Sequence, residues 1–191
     1  MGGGEAFSMR LTGLRAGDDA AWAEAYRELS PVLLGYLRAR GAAEPEDLLA
    51  EVFTQAVRDL GSFEGGERDF RAWLFSIAHN RLVDEARRRA RRPVEPASDE
   101  TIAARAETGN AETEAMDRVG SAEVTRLLST LSEDQQSVLL LRVIGDLTVP
   151  EIARATGKRQ GAVKQLQRRA LLRLRKELGE GPYPSRGDPS L

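Results

Sequence analysis

The sequence predicts an all-α protein in which two small helical domains are joined by a flexible linker. Apolar residues recur at steps of three and four on both sides of the chain's middle, which is the period of amphipathic helices. Hydrophobic residues make up 41% of the 191 residues but aromatic ones only 5%, a composition that suits several short helical cores better than one large sheet. Between the periodic parts, residues 93–120 are dominated by Ala, Glu and Thr and keep no apolar face, as is typical of a linker.

These patterns divide the chain into five parts. We predict a disordered N-terminus (1–10), an N-terminal helical domain (11–92), an acidic flexible linker (93–120), a C-terminal helix-turn-helix domain (121–178) and a disordered tail (179–191).

Three helices are predicted in the N-terminal domain. The first extends from about Asp19 to Arg40, with a cap at Asp18 or Asp19, and Pro31 is expected to kink or divide it. The second begins near Pro45, a favourable first-turn residue. The stretch 61–69 contains three glycines in nine residues and predicts a loop. A third helix follows it and ends in an arginine cluster.

The C-terminal domain carries the sharpest pattern. Ser132 with Gln135, and Thr148 with Glu151, are capping boxes that each open a helix. Gly157 ends the second of these short helices, and a long helix from about Gln160 to Leu178 follows. A short capped helix, a tight turn and a longer helix form the helix-turn-helix arrangement, whose second helix enters the major groove of DNA.

The net charge of −2 hides strong local charge. Eight basic residues and no acidic one lie between Lys158 and Lys176, and five of the six residues from Arg87 to Arg92 are arginines. Residues 93–123 hold eight acidic residues and two arginines, a net of 2 − 8 = −6. The sequence thus predicts two basic patches separated by an acidic connector.

The residues that carry most enzyme and metal chemistry are scarce. The chain has no cysteine and one histidine, His79, so we predict no metal site, no cofactor and no catalytic residue. His79 itself is expected on a helix surface. No apolar run approaches the ~20 residues that cross a bilayer, and residues 1–10 do not resemble a secretory signal. We therefore expect a cytoplasmic protein without membrane insertion.

The exposed face of the last helix is the first candidate site. Arg and Lys suit phosphates or guanine, and Gln can pair with adenine. A solvated basic face on a bundle helix is the alternative, and the coincidence of caps, turn and charge favours DNA contact. The residues of this face are Arg159, Gln160, Lys164, Gln165, Arg168 and Arg169. The arginine cluster at 87–92 taken alone fits nucleic-acid contact and a basic helix end equally well, and Phe70 and Trp73 fit core packing better than base stacking.

Together the two halves resemble the extracytoplasmic-function (ECF) sigma factors of bacterial RNA polymerase. Three stretches carry the resemblance: EDLLAEVF at 46–53, GSFEGGERDFRAWLFSIAHNRLVDEARRR at 61–89, and LSTLSEDQQSVLLLRVIGDLTVPEIARATGKRQGAVKQLQRRAL at 128–171. They are similar to the family's polymerase-binding helix, its −10 loop and helix in region 2, and its −35-reading region 4. The resemblance covers roughly 11–178 and implies a non-enzymatic promoter-recognition subunit.

The resemblance also implies roles for single residues. The polymerase-docking positions, which contact the β′ clamp helices, are Asp47, Leu48, Glu51 and Phe53. The −10 positions are Phe63 in the base-receiving loop, then Asn80, Arg87, Arg88 and Arg89. In region 4, Lys164, Gln165, Arg168 and Arg169 match −35-reading positions. Ala50 and the pair Gln165-Leu166 depart from the family's usual residues, which bears on base specificity more than on fold.

The implied partners are core RNA polymerase, including its β flap, promoter DNA and, in many members, an anti-sigma factor. Two alternatives stay open at this point. A stand-alone helix-turn-helix regulator would need a ligand, receiver or dimerisation domain in the N-terminal half, and an enzyme acting on nucleic acid would need a catalytic cluster. The acidic linker is equally compatible with mimicry of nucleic acid in a polymerase channel and with a plain spacer.

Overall fold

The computed structural model describes residues 3–91 and 122–179. Within these two ranges the chain forms helices, turns and short loops, and no β-strand occurs. The all-α prediction is therefore confirmed for the described part of the chain. The predicted linker, 93–120, and nearly all of the predicted tail, 180–191, lie outside the described residues.

Four helices and one short turn build the N-terminal domain. They are α1 (Gly3–Ala16), α2 (Asp19–Ala39), α3 (Pro45–Asp59), a 3-10 turn (Leu60–Ser62) and α4 (Glu67–Arg91). Helices α2 and α3 pack against each other and against α4. Leu33, Tyr36, Val52 and Phe75 meet between them with 0% exposure, so the apolar faces of these helices form the core of the domain.

The ends of these helices follow from local chemistry. The Asp18 carboxylate accepts a hydrogen bond from the Ala20 N–H at 2.9 Å and so caps α2. Pro45 begins α3, as predicted. Of the two effects expected of Pro31, a kink or a division of the first helix, division is wrong, because α2 is one helix from residue 19 to residue 39. Pro31 is exposed, so water can reach the backbone carbonyl that its ring leaves without a partner.

The N-terminus differs from the sequence-based expectation. Residues 1–10 were expected to be disordered, yet residues 3–16 form α1. Phe7 and Leu14 are 4% and 2% exposed, and Leu11 packs partly buried against the same core. The spacing 7, 11, 14 is helical, and the glycine-rich start conceals it. The helix is therefore held by packing against the domain rather than by intrinsic propensity.

Four helices build the C-terminal domain: α5 (residues 122–129), α6 (Glu133–Val143), α7 (Val149–Thr156) and α8 (Gln160–Glu177). Both predicted capping boxes are present, at Ser132 before α6 and at Thr148 before α7. Gly157 ends α7 in the left-handed conformation at φ +67°, which glycine adopts at little cost. The predicted helix-turn-helix is thus confirmed as α7, a three-residue turn and α8.

The two domains pack against each other. Helix α4 lies against α7, and α2 contacts α6. Buried side chains of both domains form one continuous apolar cluster, in which Phe75 of α4 and Ile152 of α7 are both fully buried. The interface covers part of α4, which decides how the candidate sites on that helix are presented.

Candidate nucleic-acid interface

The six side chains that were predicted to face DNA in the C-terminal domain lie exposed along α8. Four of them are cationic, and no ion pair or hydrogen bond between described residues involves any of the six side chains. Their positive charge is therefore available for phosphate groups. They are Arg159, Gln160, Lys164, Gln165, Arg168 and Arg169.

The opposite side of α8 fixes this face in place. Val163 and Ala170 are 0% exposed, and Leu166 packs partly buried beside them. The placement of Leu166 explains why an apolar residue stands at one of the positions that depart from the family pattern. In the preceding turn, Lys158 Nζ lies 2.8 Å from Asp134 Oδ2 of α6. Helix α8 is thus mounted on α6 and α7 with its polar residues outward.

The Glu151 side chain completes the capping box at the start of α7 and contacts Arg68 of the N-terminal domain. One of its carboxylate oxygens accepts the Thr148 N–H at 2.6 Å, and the other lies 3.3 Å from Arg68 Nε. Burial opposes ionisation of this carboxyl group, but the hydrogen bonds from Thr148 and the charge of Arg68 outweigh it and lower its pKa. Glu151 is therefore ionised at neutral pH, although only 6% of the residue is exposed.

The predicted polymerase-docking residues divide into surface and core. Asp47 and Glu51 are exposed one turn apart on α3, and Glu51 lies 3.4 Å from Arg81 Nη1. Leu48 and Phe53 are 4% and 8% exposed, so their side chains hold α3 against the bundle. A partner that binds α3 would contact the two carboxylates directly. Leu48 and Phe53 would affect binding only indirectly, because they set the position of the helix.

The loop between α3 and α4 contains the predicted base-receiving position Phe63. Its ring is 5% exposed and lies with its centroid 5.5 Å from Phe70 and 5.2 Å from Trp73. Core packing, rather than base stacking, is therefore what the structure shows for Phe70. Phe63 forms the floor under the loop, and the exposed neighbours Ser62 and Glu64 form its surface.

Two arginines of α1 hold this loop, and sequence reasoning did not single them out. Arg15 Nη2 donates to the Phe63 carbonyl oxygen at 2.5 Å. Arg10 Nη2 lies 2.9 Å from Glu67 Oε1 at the start of α4, and Arg10 Nη1 lies 2.6 Å from Glu28 Oε2. The two contacts secure the beginning and the end of the loop. No sequence motif marks these arginines, because their partners are set by the tertiary position of α1.

The remaining predicted −10 residues lie along α4. Asn80 is exposed, as are Arg87, Arg88 and Arg89. Arg87 and Arg89 pair loosely with acidic residues one turn earlier, Arg87 at 3.6 Å and Arg89 at 3.1 Å. The Arg87–Asp84 pair is exposed on both sides and exchanges readily with other anions, whereas the Glu85 side chain that pairs with Arg89 is only 14% exposed. The predicted track from the loop to the arginine cluster therefore follows one helix.

His79 does not lie on the surface, contrary to the sequence-based expectation. It is 8% exposed, and its Nδ1 lies 3.1 Å from the Tyr36 hydroxyl. Burial, with the nearby charges of Arg40 and Lys158, lowers the pKa of His79 to about 4. Burial also raises the pKa of Tyr36. The imidazole is therefore neutral at pH 7, and its Nδ1 shares a hydrogen bond with the Tyr36 hydroxyl whose donor is set by the tautomer of the ring.

In the part of the chain that the structure describes, no group of three or more His, Asp or Glu side chains could hold a metal ion. The described helices also include none that is long and apolar enough to span a membrane. The candidate sites are the exposed cationic face of α8, the carboxylate pair on α3, and the loop before α4 that Arg10 and Arg15 hold in place.

Comparison with known families identifies both halves. Residues 25–92 match the family model described as Sigma-70 region 2, and residues 121–174 match Sigma-70, region 4. The chain is 33% identical over 171 residues to the ECF RNA polymerase sigma factor SigD of Mycobacterium tuberculosis, covering 85% of this chain and 79% of that protein. This chain belongs to the ECF sigma factor family. The region 2 match removes the stand-alone regulator alternative, because it fills the N-terminal half.

Other relatives agree with this assignment. The ECF sigma factor ShbA of Streptomyces griseus is 33% identical over 168 residues, covering 83% of this sigma factor and 88% of ShbA. The sigma factor BldN of Streptomyces coelicolor is 33% identical over 159 residues, covering 82% of this chain but 60% of BldN. As a member of the family, this sigma factor binds core RNA polymerase and promoter DNA, and the family is not an enzyme family.

Solved structures share the fold. CnrH, in complex with the cytosolic domain of CnrY, superposes with a TM-score of 0.68 at 23% identity, covering 93% of this sigma factor and 99% of CnrH. The sigma factor RpoE of Bartonella quintana, in complex with the anti-sigma factor NepR, gives a TM-score of 0.65 at 23% identity, covering 84% and 98%. At this identity the likeness is one of fold.

Proposed function

We propose that three surfaces of this sigma factor divide the work of initiation. The exposed carboxylates of α3 dock on core RNA polymerase, α8 reads the −35 element, and the braced loop with α4 holds the opened −10 strand. The observation that carries this proposal is the face of α8, where four cations are exposed while Val163 and Ala170 on the opposite side are fully buried. Such a helix fits the major groove of DNA, where its cationic side chains can contact the phosphates.

For the −10 element, the proposal rests on the surface around the loop rather than on the Phe63 ring. An unstacked base needs a pocket and cationic contact with its strand to offset the lost stacking. Ser62 and Glu64 line a cleft of about 400 Å³ with Trp73. The exposed Asn80 and the arginines at 87–89 continue along α4. Phe63 supports the pocket from below, and the polar neighbours contact the base.

The deciding experiment is transcription in vitro with core RNA polymerase on genomic fragments, followed by start-site mapping. We expect initiation at a defined set of promoters that share −35 and −10 elements, and none with core polymerase alone. If the purified chain neither co-elutes with core polymerase nor supports initiation on any fragment, the proposed function is wrong.

The −35 assignment has its own test on a mapped promoter. Arg168→Ala and Arg169→Ala should each weaken promoter binding and lower the slope of log affinity against log salt by about 1. Lys176→Ala, near the end of α8 beyond the proposed reading face, is the control and should change the slope less. A slope that stays the same in all three variants would contradict phosphate contact by these arginines.

A further inference from the structure

Helix α1 lies beside the loop that precedes α4. It spans Gly3–Ala16 and so lies outside residues 25–92, which match the region 2 family model. No role for α1 therefore follows from that match. The helix packs against α2 and against the 3-10 turn that opens the loop, which places its side chains within reach of the loop backbone.

Contacts that do not involve Arg15 anchor α1 to the domain. The Phe7 ring, 4% exposed, lies with its centroid 6.0 Å from that of Phe70. Leu14 is 2% exposed, and its carbonyl oxygen accepts a hydrogen bond from Trp22 Nε1 at 3.1 Å. Buried apolar area of this kind holds a helix in place. The Arg15 side chain therefore extends from a fixed position.

Arg15 contacts the loop through a single peptide group. Its Nη2 donates to the Phe63 carbonyl oxygen at 2.5 Å, and a hydrogen bond from a charged donor is stronger than one between neutral groups. The peptide that joins Phe63 to Glu64 is trans, so its carbonyl and its N–H point in opposite directions. By holding the carbonyl oxygen, Arg15 therefore turns the Glu64 N–H away from α1.

This N–H is a free donor at the edge of the cleft beside the loop. Among the residues that the structure describes, none accepts a hydrogen bond from the Glu64 N–H. Glu64 is exposed and lines the cleft together with Ser62 and Trp73. The edges of nucleic-acid bases carry acceptors that a backbone N–H can pair with. The orientation of the 63–64 peptide thus sets both the shape of the cleft and the direction of a donor.

We propose that Arg15 is a positioning residue for base recognition at the −10 element, because it holds the 63–64 peptide in the orientation that the unstacked base meets. This inference rests on the proposed function of the loop. Arg15 itself does not touch the base. It narrows the range of loop conformations, so that the cleft favours one base over the others. Without Arg15 the loop still receives a base but discriminates less.

Base preference is the property that tests this role. The complex of the chain with core polymerase is titrated with four single-stranded −10 oligonucleotides from a mapped promoter, which differ only in the base presented to the loop. We expect the unsubstituted protein to prefer one base by about tenfold, and Arg15→Ala to reduce that preference to about threefold or less. Arg27→Ala removes an exposed arginine of α2 and should keep the full preference. An unchanged preference in Arg15→Ala would overturn the inference.

The salt dependence separates positioning from direct phosphate contact, since Arg15 is exposed. A phosphate contact would make Arg15→Ala lower all four affinities equally and reduce the slope of log affinity against log salt by about 1. Positioning should leave the slope unchanged. Arg15→Lys keeps the charge and one donor for the Phe63 carbonyl, and it should retain most of the preference. A uniform loss with a lower slope would contradict the positioning role.

Nuclear magnetic resonance of the free protein provides an arm that needs no DNA. We expect ¹⁵N relaxation dispersion to show conformational exchange at the Phe63 and Glu64 amides in Arg15→Ala, and none in Arg27→Ala. Thermal unfolding should change little, because the anchors at Phe7 and Leu14 remain. Equally ordered amides in the Arg15→Ala and unsubstituted proteins would show that Arg15 does not fix the peptide.

The two proposals fail in distinguishable ways. If the unsubstituted protein initiates with core polymerase but prefers no base at any position of the −10 strand, the loop does not read a base, and both its part in the proposed function and this inference are wrong. If the unsubstituted protein shows a preference that Arg15→Ala keeps, the proposed function stands and Arg15 serves only the stability of the fold.

Discussion

Burial decides which of the predicted contacts a single side chain can make. Leu48, Phe53 and Phe63 stand at positions that resemble the family's functional ones, yet all three lie in the core. Asp47 and Glu51, on the same helix as Leu48, are exposed. Sequence similarity marks both kinds of residue equally, and only the packed structure separates those that touch a partner from those that shape the surface.

Charge reversal tests the docking surface on α3. We expect Asp47→Lys with Glu51→Lys to weaken binding to core polymerase by about tenfold, ~1.4 kcal/mol, because attraction becomes repulsion. Glu24→Lys with Glu123→Lys makes the same charge change at exposed sites elsewhere and should leave the affinity within twofold. Titration of labelled core polymerase measures both variants. Equal affinities would remove α3 from the interface.

His79 gives the stability a predictable pH dependence. Its pKa is about 4 in the folded protein against an ordinary value of 6.5, so between these values the unfolded chain binds a proton that the folded chain does not. The free energy of unfolding should therefore decrease as the pH falls from 6.5 to 4, by on the order of 3 kcal/mol from this residue.

The variant His79→Asn isolates this contribution, because His79 is the chain's single histidine and the carboxylates are unchanged. Urea denaturation at several pH values should show a flatter curve for the variant than for the unsubstituted protein. Parallel curves would mean that the imidazole is protonated in the folded state as readily as in the unfolded one.

At the scale of elements, the sequence predicts helices best where local chemistry fixes an end. Asp18, Pro45 and the two capping boxes mark helix starts that the structure confirms. Helix α1 was missed because the three residues that pack, Phe7, Leu11 and Leu14, lie next to a glycine-rich start, which lowers helix propensity. Its stabilising contacts, such as Arg15 with the Phe63 carbonyl, are distant in sequence and leave no local pattern.

Two glycines of the helix-turn-helix offer a matched test of element geometry. An added Cβ meets no atom within 4 Å at Gly157 or Gly161, but only Gly157 has positive φ, at +67°. Gly157→Ala should destabilise the protein by about 1–2 kcal/mol through backbone strain. Gly161→Ala, inside α8, should stabilise it by about 0.5–1 kcal/mol. Thermal unfolding measures both, and shifts of the same sign would contradict the assigned turn.

The association of the two domains is the feature that the sequence conceals most completely. Arg68 and Arg71 stand in a polar stretch and give no sign of a specific partner. Apart from the Glu151 carboxylate that Arg68 also contacts, their partners are backbone oxygens more than 70 residues away in sequence, and every residue type carries such an oxygen. Each domain follows from its own pattern, whereas the contact between them depends on how the finished surfaces meet.

The hydrogen bonds from Arg71 of α4 to the carbonyls of Ile144 and Gly145 should also couple the unfolding of the two domains. Arg71→Ala removes two hydrogen bonds from a charged donor, and we expect a loss of about 2–3 kcal/mol of interdomain free energy. In scanning calorimetry, the single transition expected for the unsubstituted protein should broaden or separate into two. Arg58→Ala, an exposed arginine on α3, is the control and should keep one transition. A single sharp transition in Arg71→Ala would show that apolar packing alone couples the domains.

Arg71 donates to main-chain oxygens of Ile144 and Gly145, so these contacts depend on the path of the backbone and not on the side chains that the two residues carry. Gly145 is constrained, since a Cβ at that position would come within 2.6 Å of the Leu141 carbonyl oxygen, and Asp146 is constrained by its positive φ of 53°. Chimaeric proteins that exchange the C-terminal domain for that of a relative should therefore need a glycine at this place in the donor's turn. They should also need partners for Arg68 and for the apolar cluster that both domains share.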